Sequence, residues 1–152
     1  MAGKKFRFSL ERVLKLRRHE TEQARQQLAL VRRKCSTQQE RVAAAKNRLE
    51  DLSLEAPGTG TFEPIAFRQH AAYRQDAQQQ LDRAHRDLQQ LQQTEKKAQA
   101  VLLDKSRAEE GLQTLRETEK ARYLATELHA ENAFLDEQAI SGFHRNQQAE
   151  LL

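Results

Sequence analysis

The chain has 152 residues, of which 32% are charged and 5% aromatic, with no Trp, a formal net charge of +4 and a pI near 9.4. So polar a composition excludes an ordinary globular core, which leaves a narrow coiled-coil seam or disorder. Disorder is set aside because Gln, Ala, Leu, Arg, Lys and Glu are good helix formers and the apolar residues are periodic.

The chain carries no Gly or Pro from Lys4 to Ala56, a break at Pro57-Gly58-Thr59-Gly60 followed by Pro64, and none again from Ile65 to Glu110. This punctuation predicts an all-α fold. Two long helices form an antiparallel coiled-coil hairpin, the second longer than the first. The expected layout is one coiled-coil domain over 1–152, with a helix over 9–54, a turn over 55–63, a helix over 64–141 and a frayed tail over 142–152. Residues 1–30 hold no apolar run of signal-peptide or membrane-span type, so neither secretion nor insertion is expected.

In the first arm Leu14, Thr21, Leu28, Cys35, Val42 and Leu49 recur every seven residues. Leu10, Arg17, Ala24, Val31, Gln38, Ala45 and Leu52 form the second set, giving the alternating three-and-four spacing of a coiled coil. Ser9 is placed to cap the helix, with Glu11 in its first turn. From Ser9 to Leu54 the helix is about 69 Å long at about 1.5 Å per residue. Cys35 is the chain's single cysteine. It falls on the seam with no second Cys or nearby His, and reads as a small buried hydrophobe rather than a reactive thiol.

The second arm opens at Pro64, a residue suited to a first helical position. Leu81, Ala84, Leu88, Leu91, Ala98 and Leu102 continue the seam. Glu95, Lys105 and Glu109 occupy slots where apolar residues are expected, and the stripe is predicted to shift to Ala108, Leu112 and Leu115 around Gly111. Leu124, Leu128 and Leu135 form a further apolar face, and Gly142 is predicted to stop the helix.

A short connection holds the arms at an effective concentration on the order of millimolar, so pairing within one chain is expected to win and the free protein to be monomeric. If residue 54 faces residue 64, Leu10 lies near Ala108 and the first arm is exhausted near Leu112. Residues 113–140 are then left without an internal partner over roughly 40 to 45 Å. This overhang carries Leu115, Tyr123, Leu124, Leu128, Phe134, Leu135 and Ile140, an apolar stripe suited to a partner. Lys4, Lys5, Arg7, Arg12, Lys15, Arg17 and Arg18 lie in the first 19 residues beside one acid, Glu11. Glu127, Glu131, Asp136, Glu137 and Glu150 lie near the other terminus beside one base, Arg145. With Phe6 and Phe8 expected to be exposed, the open end would orient a docking partner by charge.

Catalysis has no foothold. There is no Gly-rich phosphate loop and no Cys or His cluster at metal spacing, and His19, His70, His85, His129 and His144 stand singly. Asp136 and Glu137 are not a paired acid, since adjacent helical residues point about 100° apart. The protein is therefore read as non-enzymatic, without cofactor, metal or small-molecule ligand. A nucleic-acid-binding helical arm is the rival from another class. It is disfavoured by the modest net charge, the interleaved acids and the lack of an aromatic stacking platform. A purely structural coiled-coil spacer is a further alternative.

Two segments carry a family resemblance. Phe6, Phe8, Leu10, Val13, Leu14, Arg17, Glu20, Ala24 and Leu28 resemble the Phe-x-Leu-x-x-Val-Leu opening and following Glu/Ala pattern of the FliJ family of flagellar export proteins. Glu131-Asn132-Ala133-Phe134-Leu135-Asp136-Glu137-Gln138-Ala139 is similar to that family's closing Glu-x-x-x-Leu/Met-Asp-Glu-x-Ala signature.

The resemblance implies a cytoplasmic, non-enzymatic component of flagellar type III export, associating peripherally with the inner membrane at the flagellar base and needed for motility. Such proteins bind the hexameric export ATPase, entering its ring like a stalk and promoting ring assembly. They also bind the membrane export gate and are described as escorting chaperones of export substrates. By this analogy Phe6, Phe8, Leu10, Leu14, Leu128, Leu135, Asp136 and Glu137 face the ATPase. Positions matching the family's gate-facing surface are Arg41, Ala45, Arg48, Leu52, His70, Arg74 and Ala77, with basic residues where members often carry larger apolar ones.

Overall fold

Two helices, α1 over Glu11–Leu54 and α2 over Pro64–Glu150, make up nearly all of a computed structural model that describes residues 3–55 and 63–152. They pack against each other as an all-α hairpin whose first helix is the shorter. The predicted turn at Pro57–Gly60 lies outside the described residues.

The helix ends follow local chemistry. The Leu14 N–H donates to the Leu10 carbonyl at 2.9 Å, so Leu10 rather than Ser9 takes the capping position. Ser9 sits in a turn closed by the Glu11 N–H on the Phe8 carbonyl at 3.2 Å. At the start of α2 the Phe67 N–H donates to the Glu63 carbonyl at 3.1 Å, which places Pro64 at the first helical position as anticipated.

The predicted stop at Gly142 does not occur, and residues 142–150 continue as helix rather than as a frayed tail. A lone glycine costs about 1 kcal/mol relative to Ala, and no proline follows to enforce a break. Gly111 is likewise passed without interruption, and a Cβ at either glycine would meet nothing within 4 Å.

The chain divides into two units. In the unit Glu20–Lys105, Thr21, Ala24, Leu28, Val31, Cys35 and Gln38 of α1 and Ala77 and Leu81 of α2 are buried. Val42, Ala45, Leu49 and Leu52 continue the α1 side half-buried, and Ala84, Leu88, Leu91, Glu95, Ala98, Leu102 and Lys105 continue the α2 side. The seam is therefore the one the heptads mark.

Its polar slots are partnered. Gln38 Nε2 donates to the Ala84 carbonyl at 3.0 Å. Arg32 Nε donates to Glu95 Oε1 at 3.3 Å, and Lys105 Nζ to Glu20 Oε2 at 3.4 Å. Among the described residues no buried side-chain nitrogen or oxygen lacks a hydrogen-bond partner, the condition for tolerating polar atoms in so thin a core. Cys35 behaves as the small buried hydrophobe anticipated: burial, then the charge of Glu95 and a hydrogen bond to it, push its thiol above the usual value.

The second unit joins the N-terminal segment through His19 to Ser106–Leu152. The predicted register fails here as it does in the Glu20–Lys105 unit, where Arg32 meets Glu95 rather than a residue near 86. Arg116 Nε donates to Glu11 Oε2 at 3.1 Å, Arg18 bonds Gln113 Oε1 at 2.8 Å, and Phe6 packs on Tyr123 with ring centroids 5.7 Å apart. The first arm is thus not exhausted near Leu112. Glu11 meets Arg116 rather than a residue near 107, a displacement of about nine residues, and a seam that repeats every seven residues could not select this alignment over the expected one.

The predicted shift of the stripe to Ala108 and Leu115 is also absent, since both are exposed. The half-buried face runs instead through Glu109, Leu112, Arg116, Glu119, Tyr123 and Glu127. Its three-and-four spacing continues because Gly111 does not break the helix.

Candidate partner-binding surfaces

Segment 3–10 is not helical, so no periodicity announced that its apolar side chains would turn inward. Phe8 is 7% exposed and Leu14 0% exposed, and the two form the core of their unit. Phe6 is half-buried on Tyr123. The expectation of exposed Phe6 and Phe8 is therefore corrected: full burial of such a side chain contributes about 1.5 to 3 kcal/mol, and α2 extends far enough to supply the covering surface. Of the N-terminal group assigned to a partner, only Leu10 remains substantially accessible.

Glu127 marks the limit of the covered helix. A Cβ at Gly3 would meet its carboxylate at 3.0 Å, and it also interacts with Tyr123. Partial burial, then the charge of Glu127 and a hydrogen bond to it, raise the Tyr123 phenol above its usual value. The overhang is accordingly shorter than anticipated, beginning at Leu128 rather than Gln113.

From Leu128 to Leu152 no residue is buried, and only Gly142 is half-buried. Leu124, Leu128 and Leu135 form one stripe, exposed at 56%, 59% and 59%. It lies about 100° around the helix from Tyr123, so it stays open even where the N-terminal segment covers its neighbours. Phe134 continues the spacing of Tyr123 and Glu127 and belongs to the packed face, now bare. It borders a shallow depression with Glu137, Gln138, Ser141 and Arg145. Sequence reading did not separate these two faces, although extending the packed spacing beyond Glu127 distinguishes them. Asp136 and Glu137 are exposed.

Charge around this region is only partly free. Arg18 is drawn to Gln113 and Glu109, and Glu11 to Arg116. Lys4, Lys5, Arg7, Arg12 and Lys15 are exposed, as are Glu131, Asp136 and Glu137.

The residues expected to meet the export gate belong to the other unit and fall into two groups. Ala77 is 1% exposed, while Ala45 and Leu52 are half-buried in the seam. His70 Nε2 lies 2.7 Å from the Leu52 carbonyl, so that ring is engaged within the hairpin. Arg41, Arg48 and Arg74 are exposed, with Arg48 Nη1 3.5 Å from Gln80 Oε1. The accessible chemistry of this group is therefore its arginines.

Among the described residues no cluster of His, Cys, Asp or Glu could hold a metal ion, and no helix is long and apolar enough to cross a membrane. Residues 6–148 match the family model described as Flagellar FliJ protein. Neither a curated protein nor a solved structure matches the chain.

Proposed function

Because the chain belongs to the FliJ family, a family of non-catalytic flagellar export components, we propose that it is a stalk-like binding element of that apparatus. It engages the hexameric export ATPase through the bare end of α2 and the membrane export gate through the exposed arginines of the Glu20–Lys105 unit. It promotes assembly of the ATPase ring and substrate export without chemistry of its own. By the same analogy it sits in the cytoplasm and docks peripherally at the inner membrane. Export chaperones or substrates are further partners, and the protein is monomeric when free.

The observation that supports this reading is the run of α2 beyond Glu127. Its length, its exposed Leu128, Phe134 and Leu135 and its acids Asp136 and Glu137 suit insertion into a ring lined by complementary groups. The N-terminal residues contribute indirectly: Phe8 and Leu14 hold the base of this extension in place, and Leu10 adds an accessible edge.

Truncation after Glu127 separates the binding element from the residues that cover the N-terminal segment. The truncated protein is expected to keep its helical hairpin by circular dichroism but to lose binding to the purified export ATPase and stimulation of its turnover. Undiminished binding would reject the assignment in favour of a structural spacer. The gate contact is tested separately with R48E/R74E, which is expected to weaken gate binding at least tenfold with helicity unchanged. Unaltered affinity would return both arginines to the solvated surface.

A further inference from the structure

One side of the Glu20–Lys105 unit carries an open groove of about 410 Å³ that shares only Arg41 with the surfaces above. Leu30 and Leu91 give it an apolar floor, and Arg33, Lys34, Thr37 and Arg41 form its α1 wall. Leu30, Arg33, Lys34, Thr37 and Arg41 stand at i, i+3, i+4, i+7 and i+11, which places them on one helical face. Leu30 is off the seam and 51% exposed.

The charge of this wall is unanswered. Elsewhere in the unit Arg32 meets Glu95, Lys105 meets Glu20 and Arg25 meets Glu22. Among the described residues no acid lies within ion-pair distance of Arg33, Lys34 or Arg41, and no acid lines the groove. Gln38, which also lines the groove, is fixed by its amide's bond to the Ala84 carbonyl across the seam.

We propose that this groove receives an acidic amphipathic helix of a partner protein, laid along α1 as a third strand. The occupant's leucines cover Leu30 and Leu91, and its Glu or Asp residues, spaced three and four apart, meet Arg33, Lys34 and Arg41. Two features favour a helix over a phosphate-rich polymer or a lipid surface. The groove lies between paired helices over an apolar floor that a helical stripe covers, and its cations alternate with Leu30 and Thr37 along its wall.

The test uses the full chain and a fluorescein-labelled synthetic helical peptide with a leucine stripe flanked by glutamates, beside its Gln-for-Glu counterpart. Fluorescence anisotropy is expected to show the Glu peptide binding at least tenfold tighter than the Gln peptide. R33E/K34E is expected to reduce that binding at least tenfold. K96E/K97E makes the same change in net charge on exposed positions of α2 that do not line the groove, and it is expected to cost less than twofold. R33Q/K34Q replaces the reversal if the latter lowers helicity, with an intermediate loss expected. Arg41, Arg48 and Arg74 stay in place throughout, so the result is independent of the gate contact.

Equal losses in the two double variants, or retention by R33E/K34E, would overturn the proposal. Phosphatidylglycerol vesicles or a single-stranded oligonucleotide losing affinity with R33E/K34E, where the peptide does not, would reassign the groove to a lipid surface or nucleic acid. Concentration-dependent dimerisation of the chain alone, abolished by R33E/K34E, would reassign it to a second copy.

Discussion

The same helix, α2, meets two different fates in the two units. Between Ala77 and Lys105 its inward face is matched from α1, and even Gln38, Glu95 and Lys105 have partners in the seam. In the other unit it is matched only as far as Glu127, by a short helical stretch and a non-helical segment anchored on Phe8 and Leu14. A coiled coil thus divides its labour by where its cover ends. Matched turns satisfy their apolar surface within the chain, while unmatched turns leave Leu128, Phe134 and Leu135 at about 59% exposure for something else to bury.

The largest expected effect attacks the anchor of the second unit. Leu14 is fully buried, so Leu14→Ala is expected to cost about 2 to 5 kcal/mol in urea unfolding. Hydrogen exchange then shows whether the comparison holds. Lost protection confined to residues 3–19 and 106–127 means that the units open separately. Loss reaching the Leu28 and Leu81 turns would mean that they unfold as one.

Gln38 offers the opposite sign in the matched unit. Gln38→Leu is expected to raise stability by about 1 kcal/mol, because apolar burial replaces a hydrogen bond whose acceptor also serves the helix ladder. A polar group at a seam position also fixes register, so the stabilised variant is expected to tolerate alternative alignments. Cysteine pairs engineered at one register would report this as slower, less complete crosslinking. A fall in the urea midpoint would show instead that Gln38 contributes more to stability than leucine could.

The ring pair at the edge of the covered helix is weaker. Phe6→Ala is expected to cost about 1 kcal/mol or less, in keeping with a partly exposed aromatic contact. It also removes part of the burial that raises the Tyr123 phenol, so that group is expected to titrate nearer its ordinary value of 10.0. With Tyr73→Phe in both proteins, Tyr123 is the sole tyrosine and its absorbance reports directly. The sign of the pH effect follows from the raised value. The phenol loses its proton more readily in the unfolded chain, so its contribution is complete below the unfolded value and is lost as pH rises through the folded one. The second unit should therefore loosen in alkali above about pH 10, and less so after Phe6→Ala.

The seam was legible because burial in a coiled coil depends on spacing alone. Thr21, Cys35 and Gln38 are poor apolar residues, yet their slots placed them in the core. Register was not legible, because sliding one helix past the other by a heptad preserves the spacing while exchanging which residues meet. Contacts such as the Glu11–Arg116 pair fix it, and such a pair has no signature along the chain. The burial of Phe6 and Phe8 was hidden for a related reason: a non-helical segment borrows its cover from another element. The exposed arginines and the bare end were legible as residues. Ala77, Ala45 and Leu52 show that matching a family pattern does not make a side chain accessible.

The smallest effect on stability carries the most about function. Phe134 and Leu135 are each 59% exposed on turns with no matching segment, so replacing both with Ala is expected to change the urea midpoint by no more than about 0.5 kcal/mol. If these turns are held open for a partner, the same variant should bind the export ATPase several-fold more weakly, because the two side chains face different directions and both would be covered inside a ring. The pair is also separable. Phe134 extends the face already used by Tyr123, whereas Leu135 lies on the stripe with Leu124 and Leu128. A loss from Leu135→Ala alone would assign docking to the leucine stripe, and a loss from Phe134→Ala alone to the extended packed face. Full affinity in the double variant would mean that the end of the cover does not mark the start of the binding surface.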